Sequence, residues 1–163
     1  MKRHGDRTAG ASGFTLVELL MVVIIMAIAA AMIIPYSTSS ATTAMSAARM
    51  VTSDLQHAQN VAVTMQTPVT VTFNIIDNEY SLTSQSGPLI HPITKKAYTV
   101  QLANQRGMSA ASLVSTTLGS TGSVTFDEFG SPSSAGSIII QAGSVRYRLE
   151  VAAATGNIKV VAL

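Results

Sequence analysis

The stretch SGFTLVELLMVV, residues 12–23, opens an apolar run that continues through Ile34 to Pro35. Glu18 is the only charge between Phe14 and Ile34, and Gly13 stands directly before the run. The 21 residues from Phe14 to Ile34 are apolar apart from Thr15 and Glu18. About 20 such residues of helix cross a hydrocarbon core of roughly 30 Å, so the sequence predicts a transmembrane segment over residues 14–35. Lys2, Arg3 and Arg7 precede it, and the next basic residue is Arg49. That asymmetry predicts a single pass with the N-terminus cytoplasmic and the C-terminal domain outside. An ordinary secretory signal has an apolar region of about 7–15 residues followed by a small-x-small cleavage site. Here the run is longer and no convincing site follows it. A plain signal anchor fits the length but leaves Gly13 and Glu18 without a role.

The segment GFTLVELLMVVIIMAIAAAMIIP, residues 13–35, closely resembles the N-terminus of type IV pilins and type II secretion pseudopilins. The resemblance implies that residues 1–13 are a leader. A prepilin peptidase, a membrane aspartyl protease, would cut between Gly13 and Phe14 and N-methylate Phe14. It also implies assembly roles for Glu18 and for Pro35, the family's helix-bending proline. A carboxylate at mid-helix in a bilayer costs roughly 2.5–3.5 kcal/mol on insertion scales, less near the interface, so such a residue normally has a partner. Cleavage creates a free amine on Phe14, one helical turn from Glu18, and in the family's filaments the glutamate pairs with the amine of a neighbouring subunit. The implied partners are the prepilin peptidase, other pseudopilins or pilins, an inner-membrane assembly platform and membrane lipid. The implied location is the bacterial inner membrane, then a filament.

Beyond Pro35, which should kink the helix rather than end it, a helical period resumes. Ala41, Ala44, Ala48, Val51, Leu55, Ala58, Ala62 and Met65 are spaced alternately by three and four, which predicts one helical stripe over residues 36–67. Val51, Leu55 and Met65 are expected on its inner face. Phe14 to Gln66 would then form a rod of roughly 80 Å. Alanine at most seam positions makes a weak coiled coil, so packing against a sheet of the same chain is favoured. Pro68 stops the helix near Thr67.

From Pro68 the period becomes two. VTVTFNII (69–76) reads as a strand, DN as a turn and EYSL as the return strand. Residues 84–94, with two prolines and a glycine, read as a loop. AYTVQLA (97–103) reads as a strand, and residues 107–118 are ambiguous. GSVTFDEFG is a strand entering a turn, and SPSSAG a flexible link. SIIIQ, SVRYRLEVAA and NIKVVA are strands, the last two joined at ATGN. The expected fold is α+β, a long N-terminal helix packed on an antiparallel β-sheet domain spanning 68–163. The C-terminal half resembles the GspH/FimT group of minor pseudopilins and minor pilins, on Phe126, Gly130, Gly136, Thr155 and Gly156. The chain has no cysteine, so it lacks the disulfide that closes many major pilins.

Composition and motif search point away from catalysis. Charged residues make up 11% of the chain against a usual quarter, with 47% hydrophobic. The leader holds three of the ten basic and one of the eight acidic residues, leaving seven of each. That balance gives no general electrostatic case for nucleic acid. His4, His57 and His91 lack metal-ligand spacing and read as solvated, His57 on the outer helix face. Asp77, Asn78 and Glu79, and Asp127 and Glu128, lack the spaced oxygens of a calcium loop and read as turn and strand-end residues. No nucleophile elbow or phosphate loop occurs. Arg146 and Arg148 share a strand face with Lys159 in the expected partner strand. These three are the candidates for DNA contact, with a plain solvent face as the alternative. The expected protein is a structural subunit without catalytic residues, metal or cofactor: a GspH-like minor pseudopilin, or alternatively a FimT-like minor pilin in pilus assembly or DNA uptake.

Overall fold

A computed structural model describes residues 14–33 and 39–163. The leader, Gly13 and Pro35, with the bend expected there, lie outside the described residues. Helix α1 belongs to one compact unit and the residues from Ser39 on to another.

Helix α1 runs Leu16–Ile33 and is apolar on every side apart from Glu18 in its first turn. Such a helix hides its surface in lipid or among partners. Its 18 residues cover about 27 Å. Among the described residues, no helix is long and apolar enough to cross a membrane.

Helix α2 runs Ser40–Met65. Ser39, in extended conformation, caps it by accepting a hydrogen bond from the Thr42 amide at 3.2 Å. The expected start at 36 lies outside the described residues. At the other end Gln66 turns left-handed, and its amide bonds back to the Ala62 carbonyl ahead of Pro68. The buried face comprises Thr43, Ala44, Ala47, Ala48, Val51, Leu55, Ala58 and Ala62. Two expectations fail at the ends of the stripe. Ala41 is exposed, and Met65, expected inside, is 69% exposed. The cause is geometric. A 3,4 repeat drifts about 20° per heptad against a 3.6-residue helix, which over these three and a half heptads comes to about 70°. The middle of the stripe faces the core and both ends rotate off it.

The β-domain consists of two antiparallel sheets. In the first, β1 (Val69–Asn74) lies between β2 (Glu79–Ser84) and β6 (Ser123–Phe126), and β3 (Gly87–Pro88) and β4 (Thr99–Gln101) both pair with β2. In the second, β5 (Ala111–Thr116), β7 (Gly136–Ala142), β8 (Val145–Val151) and β9 (Ile158–Ala162) follow in that order. Most period-two segments form strands as expected, and the ambiguous 107–118 region supplies β5; AYTVQLA is strand only at Thr99–Gln101 and passes into a 3-10 turn at Leu102–Asn104, and VTVTFNII ends as strand at Asn74. Two loop assignments need correction. Residues 84–94 are not simply loop: they contain β3 and begin a hairpin closed by an Ile90–Ala97 bridge. SPSSAG is not a loose link: Pro132 bridges to Phe126, and the Ser133 amide bonds to the Thr125 carbonyl at 2.7 Å.

Helix α2 packs on both sheets, chiefly on β1, β7 and β8. Its buried face meets Val69, Val71, Leu82, Phe126, Ile138, Ile140, Leu149 and Val151 in one core. Glycines let the sheet turns close on the helix at two points. Gly143, between β7 and β8, has φ +56°, and a Cβ there would lie 2.6 Å from the Ser40 hydroxyl. Gly156, between β8 and β9, has φ +63°, and a Cβ would lie 2.6 Å from Gln59 Nε2. Both positions need left-handed backbone and close approach, which glycine supplies.

Leu55 is fully buried. Leu55→Ala should lower stability by about 2–5 kcal/mol in denaturant titration. Met65→Ala should stay within about 0.5 kcal/mol of the parent, as an exposed substitution does.

Candidate functional site

The N-terminal constellation rests on four residues. Phe14 and Thr15 precede α1, and the Thr15 carbonyl accepts from the Glu18 and Leu19 amides at 3.1 and 3.2 Å. The Thr15 hydroxyl oxygen also accepts from the Glu18 amide at 3.3 Å. Thr15-Leu16-Val17-Glu18 thus has the spacing of a capping box, with the carboxylate beside the positive end of the helix dipole. The bonds to Thr15 come from the Glu18 backbone amide, and the Thr-x-x-Glu before an apolar run is a signal visible in the sequence. Phe14 and Glu18 are both exposed.

A second constellation was not legible in sequence. Asp54, on α2, accepts hydrogen bonds from two tyrosines: Tyr80 in β2 at 2.5 Å and Tyr98 before β4 at 3.0 Å. One carboxylate therefore ties the helix to two segments of the first sheet. His57 and His91, expected to be solvated, instead lie against the Tyr98 ring at 5.6 and 4.6 Å between centroids. Nδ1 of His91 further accepts from the Ile93 and Thr94 amides. Burial first, and then the Asp54 carboxylate, push both tyrosine hydroxyls well above the ordinary phenol range.

The residues behind the C-terminal resemblance also acquire a physical reading. Gln59 Nε2 donates to the carbonyls of Gly130 (2.8 Å) and Thr155 (3.1 Å), stapling two turns to α2. Gly156 closes against the same amide and the Phe126 ring. Gly136 packs onto Thr117 and Leu118.

Arg146, Arg148 and Lys159 do share a face of the second sheet, because Arg148 and Glu150 alternate along β8 and Lys159 pairs with Glu150. Arg148 pairs with Glu150 at 3.6 Å, and Arg146 donates to Gln141 at 2.7 Å. The patch is thus three cations around one anion. The acidic clusters serve turns. Asp77 accepts from Asn74, Asn78 bonds to β5, and Asp127 accepts from the Phe129 and Ser131 amides. Among the described residues, no three His, Cys, Asp or Glu side chains group to hold a metal.

The tyrosine pair makes stability depend on pH. A phenol whose folded pKa is raised stabilises fully below the unfolded value near 10, and that contribution falls as pH rises above it. The melting temperature should therefore drop above about pH 10. A Tyr80→Phe/Tyr98→Phe variant should show a shallower alkaline slope in the same scan.

Comparison with known proteins places the chain in a family. A family model described as the prokaryotic N-terminal methylation motif matches residues 9–34. One described as type II transport protein GspH matches residues 47–155. The fold is similar to that of the minor pseudopilin EpsH from the type 2 secretion system of Vibrio cholerae. The TM-score is 0.56 at 12% identity, covering 73% of this chain and 96% of that one. It is also similar to the type IV minor pilin FimU of Pseudomonas aeruginosa, with TM-score 0.53, 16% identity, and 72% and 87% covered. No curated protein matches in sequence. The GspH match covers about two thirds of the chain and its strands carry the pilin-like α+β fold. The chain therefore belongs to the GspH family of type II transport proteins, whose members are structural pseudopilin or pilin subunits and not enzymes.

Proposed function

We propose that this protein is a minor pseudopilin of a type II secretion system, processed by prepilin peptidase between Gly13 and Phe14, methylated on Phe14, and assembled through its N-terminal helix. The observation that carries the reading is the succession, in one chain, of the methylation motif over 9–34 and the GspH match over 47–155. In this reading the segment 14–35 anchors the precursor in the inner membrane, with the β-domain on the far side. Lipid and then neighbouring subunits cover the apolar surface of α1. Pro35 bends the helix, and the assembly platform and sister pseudopilins are the partners. Glu18 serves assembly. Its carboxylate opposes insertion if anything, and cleavage needs the small Gly13, which a change at Glu18 leaves intact. What Glu18 supplies is a partner for a neighbouring terminal amine in low dielectric, where removing one member strands the other.

N-terminal mass spectrometry of the membrane protein should find N-methylated Phe14, and an intact leader beside an active peptidase would refute the processing. Glu18→Ala should be inserted and cleaved normally but co-purify with sister pseudopilins several-fold less well. Undiminished co-purification would remove the assembly role. The alternative, a minor type IV pilin contacting DNA, draws on Arg146, Arg148 and Lys159. Three phosphate contacts would give a slope of about −2.7 in log affinity against log salt, and weak, salt-insensitive binding is the expected result.

A further inference from the structure

We propose that the outer edge of β9 receives an extended strand of another polypeptide, acidic on one face and apolar on the other, which joins the second sheet as a fifth strand. The family match ends at residue 155, before this strand begins.

The hydrogen-bond phase of β9 fixes what its edge presents. The Ala152 amide donates to the Asn157 carbonyl, and the Leu163 amide to the Arg146 carbonyl, at the two ends of the β8–β9 ladder. Antiparallel ladders alternate, so Asn157, Lys159, Val161 and Leu163 bond inward to β8. The N–H and C=O groups of Ile158, Val160 and Ala162 therefore point away from β8. None of them has a hydrogen-bond partner among the described residues.

The other edges of the two sheets are closed or interrupted. At β5 the Asn78 side chain acts as a one-residue strand, donating to the Ala111 carbonyl and accepting from the Leu113 amide, and a bulge follows between Leu113 and Ser115. At β6 the edge is covered by Pro132 and Ser133. The β3/β4 edge consists of strands of two and three residues, one ending in Pro88. These are the devices by which proteins blunt unpaired edges. β9 has five residues, an unbroken register, no proline and a single charge. It is the long unguarded edge among the described residues, and strand addition is the interaction such an edge supports.

The faces of β9 define the incoming strand. Ile158, Val160 and Ala162 sit opposite Val151, Leu149 and Tyr147, so their side chains continue the apolar inner face. Lys159 and Val161 sit opposite Glu150 and Arg148 on the outer face. Arg148 already pairs with Glu150, and Lys159 makes no ion pair among the described residues. A cross-strand neighbour of Lys159 is therefore favoured when acidic, and its alternating neighbours when apolar.

The test uses the full-length chain in detergent micelles and a seven-residue peptide in which Val alternates with Glu, beside a counterpart in which Val alternates with Lys. The Val/Glu peptide should slow amide exchange at Ile158, Val160 and Ala162 and bind at least tenfold more tightly than the Val/Lys peptide. Val160→Pro removes an outward amide without touching the β8 ladder, and should abolish binding. Should that variant fold poorly, Lys159→Glu keeps the edge and should reverse the preference between the peptides. The proposal is overturned by any of four results. One is exchange of the three amides in the free chain as slow as that of β8. Another is binding by Val160→Pro equal to the parent's. A third is self-association through an interface that Val160→Pro destroys, which makes the occupant a second copy. The fourth is protection of the same amides by duplex DNA where the Val/Glu peptide gives none.

Discussion

The small-residue face of α2 is the constraint on which the rest of the structure depends. One helix has to cover two sheets at once. It does so because Ala44, Ala47, Ala48, Ala58 and Ala62 are fully buried and bring its backbone close to both. Only Val51 and Leu55 add large side chains to that face. Close approach in turn brings the flanking polar groups within reach of the strands. Asp54 meets two phenols from the first sheet, and Gln59 meets one carbonyl in the turn after β6 and one in the turn between β8 and β9. A bulkier residue in place of Ala58 would strain the core and pull these polar contacts apart together.

Those polar contacts tie sheet segments and turns to one helix. The chain has no cysteine, and its C-terminal turns are held by an amide on a helix. The glycines at 143 and 156 are where the sheet turns meet that helix most closely, which explains their left-handed backbone. The residues that carry the GspH/FimT likeness are, physically, the places where turns dock on α2 or on one another.

Much of this was legible where a local rule decides the outcome. The apolar run from Phe14, the period-two strands, the stop before Pro68 and the hairpin at Asp77-Asn78 each follow from neighbours within a few residues. The family likeness was legible for the same reason, since the methylation motif is contiguous. What escaped depends on distant partners. Nothing near His57 or His91 signals that both rest on Tyr98, which lies 41 residues beyond one and seven beyond the other. SPSSAG has the composition of a linker, yet Pro132 and Ser133 find a strand edge to cover. Ala41 and Met65 fit the repeat and still face outward, because a repeat in sequence says nothing about accumulated rotation around a straight helix. The polar surface divides in the same way: the alternation of Arg146 and Arg148 was visible, and their engagement by Glu150 and Gln141 was not.

The two glycine contacts also orient β8. Its first turn touches α2 at Ser40 and its last turn at Gln59. Nineteen helical residues rise about 28 Å, and the seven residues of β8 extend about 24 Å, so strand and helix run side by side in the same direction. Tension applied along the helix axis then pulls β7, β8 and β9 lengthwise past one another. Their ladder bonds lie across that pull and share the load at once instead of parting one by one as in peeling. A subunit built this way resists axial traction through its sheet, as a lap joint does, and yields more readily to a force that lifts β9 sideways from its neighbour.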